Sequence, residues 1–356
     1  MKNNPLPFLL ALVSALFFGA ATPISKPLLA HLSNYHLAGL LYLGAALGVL
    51  PILLRERKFH LPWRMDRDTT IRLAASILFG GILGPLALLA GLRLASAASV
   101  SMWLNLEMVF TALLGHFVFK DYLTPRGWVA AGGILFAAVI LAAGEGAAGL
   151  AAGLLVALAC LCWGLDNHFT ALIDGISPAE STFWKGVTAG LTNLLIGLSL
   201  APMVAAPKWI TAGLAIGFVS YGLSIVLYIT AAQRLGATRS QLTFSSAPFW
   251  GVLLSVLLLR ESFSLKQLAA TLILALAIFL MFREQHQHHH AHAPQAHEHL
   301  HDHKDGHHAH SHPGLPPSTR HLHPHAHPTL THSHPHWPDL HHRHLHEGGN
   351  TILRSN

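Results

Sequence analysis

Glu107 lies midway along the stretch from Ala95 to Phe119, where its neighbours are almost all apolar or small. An ionised carboxylate at the centre of a lipid bilayer costs at least about 2.5 kcal/mol, so such a residue must be neutral, paired or turned toward water. A carboxyl group in that setting can take up and release a proton. The plainer alternative is a hydrogen bond across helices that fixes their packing. On a continuous helix Trp103 and Thr111 share its face at i−4 and i+4.

A second polar cluster runs Cys160-Leu-Cys-Trp-Gly-Leu-Asp-Asn-His-Phe-Thr170. At 100° per residue Asp166 shares a face with Cys162 and Thr170, Asn167 with Trp163, and His168 with Gly164. Asp166 and His168 then point nearly opposite ways and are not joint metal ligands on an unbroken helix. Asp166 and Asn167 are the expected cavity residues, with Trp163 beside them. His168, His116 and the pair Cys160 and Cys162 read as packing residues. Further on, Tyr221, Ser224 and Tyr228 recur at i, i+3 and i+7 as a polar stripe, and Gln241, Thr243, Ser245 and Ser246 precede Pro248. The stripe predicts a polar, mostly neutral pocket suited to a zwitterion or polar metabolite.

The third chemical feature is the C-terminal region from Gln285, which holds 24 of the chain's 29 histidines. Imidazole is a preferred ligand of zinc, nickel, cobalt and copper. Runs such as His286, His288, His289 and His290, then His332, His334 and His336, then His341, His342 and His344 offer it at spacings a pliant chain can wrap around an ion. Dense His and Pro without an apolar period predict no packed core and a disordered tail. A pH-responsive polycation and a solubilising tail are the alternatives to metal handling.

These residues must be held by a framework, and composition defines it. The chain has 356 residues, 52% apolar and only 11% charged, against roughly a quarter charged in soluble domains. Most of the apolar content lies before residue 285. About 20 apolar residues in a helix cross a bilayer, and ten such stretches occur: Leu6 to Leu29, Leu37 to Leu54, Ile71 to Leu92, Ala95 to Phe119, Gly127 to Ala143, Gly149 to Leu172, Thr182 to Met203, Ile210 to Ala232, Ala237 to Leu259 and Leu265 to Phe282. The first, preceded by Lys2, resembles a signal peptide but reads as a retained span. With the N-terminus inside, the positive-inside rule puts most basic residues, those of Arg55 to Arg72 and Lys185 among them, on the cytoplasmic face. Lys26, Arg93, Lys208, Arg260 and Lys266 fall outside. Both termini are then cytoplasmic. The net charge of +6 follows from this topology rather than from a nucleic-acid surface.

The framework is duplicated. Arg93-Leu94-Ala95 parallels Arg234-Leu235-Gly236, Lys120-Asp121 falls on Arg260-Glu261 at an offset of 140, and Phe18-Gly19 matches Trp163-Gly164. Each copy has five spans, an odd number, so the copies enter the membrane from opposite sides, an arrangement that places a substrate site near the midplane. Residues 1–145 form the first repeat, 146–284 the second, and 285–356 the tail.

These paired motifs, with the Leu106-Glu107 and Ala247-Pro248 segments, resemble the EamA family of the drug/metabolite transporter superfamily over residues 6 to 283. Where the second copy has Pro248 the first has Met108, so a helix break has less support beside Glu107. The resemblance implies an all-α membrane protein with ten helices in two inverted five-helix repeats that moves small solutes by alternating access. The expectation is a secondary transporter, an exporter with proton coupling, of small polar metabolites. Its substrate and coupling residues are Glu107, Asp166, Asn167, Trp103, Trp163, Tyr221, Ser224, Tyr228 and Ser245. The alternatives are a divalent zinc, nickel or cobalt transporter, for which the spans lack a convergent acid and histidine cluster, and a non-transporting membrane-held metal store or sensor. No enzyme is expected, since neither a nucleotide loop nor a nucleophile with a base is visible. No cofactor is required beyond a divalent metal on the tail. The expected partners are the lipid bilayer, a small-molecule or ion substrate and a second copy of the chain, in a bacterial cytoplasmic (inner) membrane, with no nucleic acid.

Overall fold

The computed structural model describes residues 5–56, 59–118, 123, 125–173, 175–235, 240, 243–282, 286–292, 295–301, 321–327 and 330–336. The part before residue 283 is helical, and among the described residues it forms ten rods. They are α1 (Leu6–Leu28), α2 (Asn34–Glu56), α3 (Arg67–Leu94), α4 (Ala97–Phe117), α5 (Pro125–Gly144), α6 (Gly146–Ala171), α7 (Pro178–Leu200), α8 (Pro207–Ile216, Gly217–Leu223 and Ser224–Leu235), α9 (Ala247–Leu259) and α10 (Leu265–Phe282). Seven of them, α1 to α6 and α8, are long and apolar enough to cross a membrane, α9 and α10 being apolar but shorter. Rod α7 carries Glu180 and Lys185 in its first two turns.

Local chemistry sets the rod ends. Asp66, Ser96 and Ser177 cap α3, α4 and α7 by accepting from Thr69, Ser99 and Glu180 backbone N–H groups, each cap being worth about 1 kcal/mol. Hydrogen bonds from Thr69 also hold the Asp66 carboxyl below the ordinary aspartate range. Pro178, Pro207 and Pro248 stand in first turns, where a missing N–H leaves no helical bond unmade. With these caps and first-turn prolines, α3, α7 and α8 start three to four residues before their apolar stretches begin.

Rod α2 packs along α7 and α5 along α10. Rod α1 lies against α8 and α9, and α6 against α3 and α4. Small residues allow these approaches. A side chain on Gly222 would meet Gly48 Cα at 2.5 Å, and one on Gly19 would meet the Ala247 carbonyl at 2.1 Å.

Three rods are irregular, and the irregularities repeat. Rod α3 contains a π-helical segment, Ile77–Leu83, and α8 another, Gly217–Leu223, 140 residues on. Rod α4 breaks at Leu104 and Asn105 despite lacking a proline, and the chain turns again at Ser245 and Ser246 ahead of Pro248. Asn105 ties the first break by donating its side-chain amide to the Met102 carbonyl at 2.9 Å.

The tail differs from the expectation of disorder where it is described. His286–His292 pairs antiparallel with Leu330–His336, and Gln295–His301 with His321–His327. Histidine at every second residue has the period of a strand, and in a two-stranded ribbon Pro324 and Pro335 occupy edge strands, where a missing N–H is tolerated. The register sets His286, His288 and His290 opposite His336, His334 and His332. His341, His342 and His344 lie outside the described residues.

Gly222→Leu should force α2 and α8 apart by overpacking, at a cost of about 1–3 kcal/mol or more. Gly132, with nothing within 4 Å of an added Cβ, should accept leucine. The expected result is a lower membrane yield and thermal midpoint for the first variant only, measured by size-exclusion fluorescence after a heat series.

Candidate functional site

Pro85 stands five residues after Gly80 and four after Gly81, where a helical N–H is due and proline has none, and the Gly84 N–H goes to the Phe79 carbonyl; side chains from three other rods supply donors instead. The Gly80 carbonyl accepts from the Tyr42 hydroxyl and, at 3.1 Å, from Trp163 Nε1, while the Gly81 carbonyl accepts from Asn193 Nδ2 at 3.0 Å. The glycines themselves are needed here: a Cβ on Gly80 would lie 2.0 Å from Asp166 Oδ2.

Asp166 sits against that glycine, 8% exposed. Its Oδ1 accepts from Lys185 Nζ at 2.6 Å, Ser76 Oγ at 2.6 Å and Thr170 Oγ1 at 2.9 Å, and its Oδ2 accepts from Lys185 at 2.8 Å. A charged pair is tolerated away from water only with geometry this complete. Glu107 lies across the cavity. Its Oε1 accepts from Asn167 Nδ2 at 2.9 Å, and the same amide reaches Thr111 Oγ1 at 3.2 Å. The break in α4 puts Glu107 in the first turn of the helix Leu106–Phe117, where unpaired N–H groups and the helix dipole favour a carboxylate.

These groups line one cavity of about 360 Å³, together with Trp163, Tyr221, Ser245 and Pro248. Phe18, Tyr42 and Phe244 give it an aromatic wall, in which Phe18 meets Tyr221 edge-on at 5.6 Å and Phe244 at 5.2 Å. The cavity spans the middle of the rods and the half nearer residues 59–66. Toward the opposite face, only about 20 Å³ remains between Ser25, Leu41, Leu88 and Leu92.

A network crosses that opposite face. Lys26 of α1 bonds the Ala95 carbonyl at 2.6 Å and Glu261 at 3.2 Å, and Glu261 accepts from the Ala97 and Ala98 N–H groups at 2.8 and 2.9 Å. Glu145 accepts from the Ser96 and Ser99 hydroxyls, the latter at 2.6 Å, and Gln267 reaches Ser99 at 3.1 Å. One helix N-terminus thus ties α1, α4, α5 and the α9–α10 turn. At the face of residues 59–66, Glu180 accepts from the backbone N–H of His60 and bonds its ring, and Trp184 donates to the His60 carbonyl at 3.0 Å.

The residues expected from the sequence divide in two. Glu107, Asp166, Asn167, Trp163, Tyr221 and Ser245 come together around the cavity. Trp103, Ser224 and Tyr228 do not line it. Trp103 is 1% exposed and donates to the Ala138 carbonyl at 3.1 Å, because the break at 104–105 rotates it off the Glu107 face. Ser224 is fully buried and exchanges hydrogen bonds with Ser14 of α1. The π-segment ending at Leu223 lies between Tyr221 and Ser224, so 100° spacing no longer joins them. Tyr228 packs on Phe244 at 5.0 Å. His168 reaches the Thr111 carbonyl at 3.0 Å, His116 packs edge-on to Trp128, and Cys160 and Cys162 are free, buried thiols. Lys185 is the group the sequence reading missed, having been counted among loop charges. Its position inside the stretch Thr182 to Met203, rather than at its edge, was the available signal.

A helical, largely apolar bundle with a charged cavity at mid-depth is a membrane transport protein in class. The chain matches the EamA-like transporter family over residues 6–143 and 150–283, and it belongs to that family. It is 24% identical over 278 residues to an uncharacterized transporter of the archaeon Methanothermobacter thermautotrophicus, covering 72% of this chain and 80% of the relative. A crystal structure of 15% identity superposes with a TM-score of 0.56 over 77% of this chain and 96% of the other, a likeness of fold.

Glu261→Ala removes the acceptor of two N–H groups and of Lys26, each hydrogen bond to a charged group being worth about 1.5–3 kcal/mol. Loosening of that face should expose a cysteine placed at Thr22 to a polar maleimide. Labelling that stays as slow as with Glu261 intact would show that this network does not close the face.

Proposed function

We propose that this chain is a secondary transporter, an exporter of small polar metabolites from the bacterial cytoplasm, built from ten spans as two inverted five-helix repeats, residues 1–145 and 146–284. The observation that carries this reading is a cavity large enough for a small solute, holding Glu107, Asp166 and Lys185 at mid-depth and walled off toward one face by the Lys26–Glu261 network. The pairing of α2 with α7 and α5 with α10, and the matching environments of α1 and α6, support the repeat. The cavity alternately meets the two faces as the repeats exchange roles. On this reading the closed face is periplasmic, and both termini are cytoplasmic.

Glu107 is the coupling residue of this proposal, because it lines the cavity without a cation bonded to it and keeps a single amide donor, Asn167, through either protonation state. Asp166 is held as the ionised partner of Lys185 and does not serve. The tail binds divalent zinc, nickel, cobalt or copper. The register that sets three histidines of 286–292 opposite three of 330–336 supports this reading, since cross-strand positions lie about 4.5–5.5 Å apart. Among the described residues no three His, Cys, Asp or Glu side chains converge as a metal site, and the metal reading rests on the tail's composition and strand register alone.

Flux into proteoliposomes of a mixed polar-metabolite pool, read by mass spectrometry under an imposed pH gradient, tests this. Glu107→Gln should abolish the pH-driven component while leaving counterflow, and a chain ended after Arg283 should keep organic flux but lose zinc retained by the full chain. Flux of zinc with no organic flux would reverse the assignment of substrate.

A further inference from the structure

The geometry points to Lys185 as an anion-binding group of the cavity, with Asp166 as a built-in stand-in that the carboxylate of a small organic solute displaces. The inference rests on the transporter reading only in taking the cavity as the solute site.

Three observations carry it. The two partners are held unequally. Asp166 keeps two hydroxyl donors, Ser76 at 2.6 Å and Thr170 at 2.9 Å, when the ammonium leaves, whereas Lys185 has only Asp166 at close range, its contact to Thr170 being 3.5 Å. A carboxylate that retains hydrogen bonds tolerates the loss of one partner, and an ammonium on a four-carbon stem can swing. Next, the carboxylate is the better fixed of the two. Gly80 leaves it no room on one side, where even a Cβ would lie 2.0 Å from Asp166 Oδ2, and the Ser76 and Thr170 hydroxyls hold it there, so exchange moves the lysine. Finally, the ammonium borders the open cavity and not a packed core, its side chain being 16% exposed among the cavity-lining residues.

The rest of the wall sets the body of the solute. Tyr42, Trp163 and Tyr221 offer ring faces and edges beside the ion pair, and the Glu107–Asn167 pair offers an acceptor and a donor opposite. A solute with a carboxylate head and a flat or apolar body of several carbons matches this cavity. A neutral amide of the same shape gains nothing from Lys185 and leaves the ion pair undisturbed.

The test is equilibrium binding of radiolabelled benzoate to the full chain in detergent, with benzamide and benzylamine as competitors of nearly equal shape. Benzoate should bind saturably, and benzamide should compete about tenfold less well, the size of one charge-assisted contact. Lys185→Gln should weaken benzoate about tenfold, while Lys185→Arg, which keeps the charge, should stay within about threefold. Asp166→Asn should tighten benzoate, because it removes the internal competitor. Equal competition by benzoate and benzamide on the wild-type chain would overturn the proposal, and that comparison needs no variant to fold. So would a Lys185→Gln chain that binds benzoate normally, or an Asp166→Asn chain of native elution profile that loses benzoate as Lys185→Gln does. Because binding is read without flux, Lys185-dependent binding in vesicles that move nothing would overturn transport alone. Flux of a neutral solute with no benzoate binding would overturn the anion site alone.

Discussion

The Gly80 carbonyl is the point on which the site depends. The π-helical turn hands the Gly84 N–H to Phe79 and sets Pro85, which has no N–H, where the next donor is due, and inside a bilayer water is not there to replace it. Tyr42 of α2 and Trp163 of α6 supply the donors, and Asn193 of α7 does the same for Gly81. Satisfying one irregular turn therefore draws three other rods to α3. The same turn presents glycine where Asp166 must lie, so the backbone's need for donors and the carboxylate's need for room are met in one place. Trp163 serves both ends, capping a carbonyl and forming cavity wall.

Charge at mid-depth obeys the same limit by two routes. Asp166 is neutralised by Lys185 and fixed by hydroxyls, a pair whose separate members would each be costly to desolvate. Glu107 has no bonded cation. Its support is the start of a helix, created by the break at Leu104 and Asn105, together with one amide. Both α4 ends of interest are thus helix N-termini that meet carboxylates: Glu107 inside the rod, and Glu261 from the far end of the bundle on Ala97 and Ala98.

Much of the framework was legible in the sequence, because apolar length is a strong signal and the Lys120-Asp121 and Arg260-Glu261 pairs, with the two aromatic-glycine pairs, announce duplication. The cavity was legible where a polar residue interrupts an apolar run on a regular helix, as at Asp166, Asn167 and Tyr221. It failed where helical periodicity itself failed. Trp103 and Glu107 are four residues apart but belong to different helical pieces, and Tyr221 and Ser224 are divided by the end of a π-segment. Neither break has a proline at its centre to betray it. Lys185 was hidden by a different rule, since a basic residue near a span's edge is ordinarily a marker of topology. Only the placement of Asp166 opposite it shows that it belongs to the site. In the tail, composition argued against a core, but alternate histidines carry a strand period that composition does not express.

The duplication supplies architecture more than chemistry. Aligned at Phe18-Gly19 and Trp163-Gly164, the copies set Gly19 tight against α9 and Gly164 tight against α4, the same helical joint made twice. At the same offset of 145, the counterpart of Asp166 is Ala21, and both line the cavity. At the offset of 140 that sets Met108 beside Pro248, the counterpart of Glu107 is Ala247, and Ala247 also lines it. One copy of each wall thus carries the carboxylate and the other a small apolar residue. On the proposed reading two similar halves suit an alternating cavity, because each can take the other's role in closing a face. A pair of ionised groups repeated in both halves would instead crowd like charges into one small space, where their repulsion has little water to screen it. The two carboxylates that remain come from different halves and different rods, each with its own support, which leaves a single ammonium as the cavity's one positive charge among the described residues that line it.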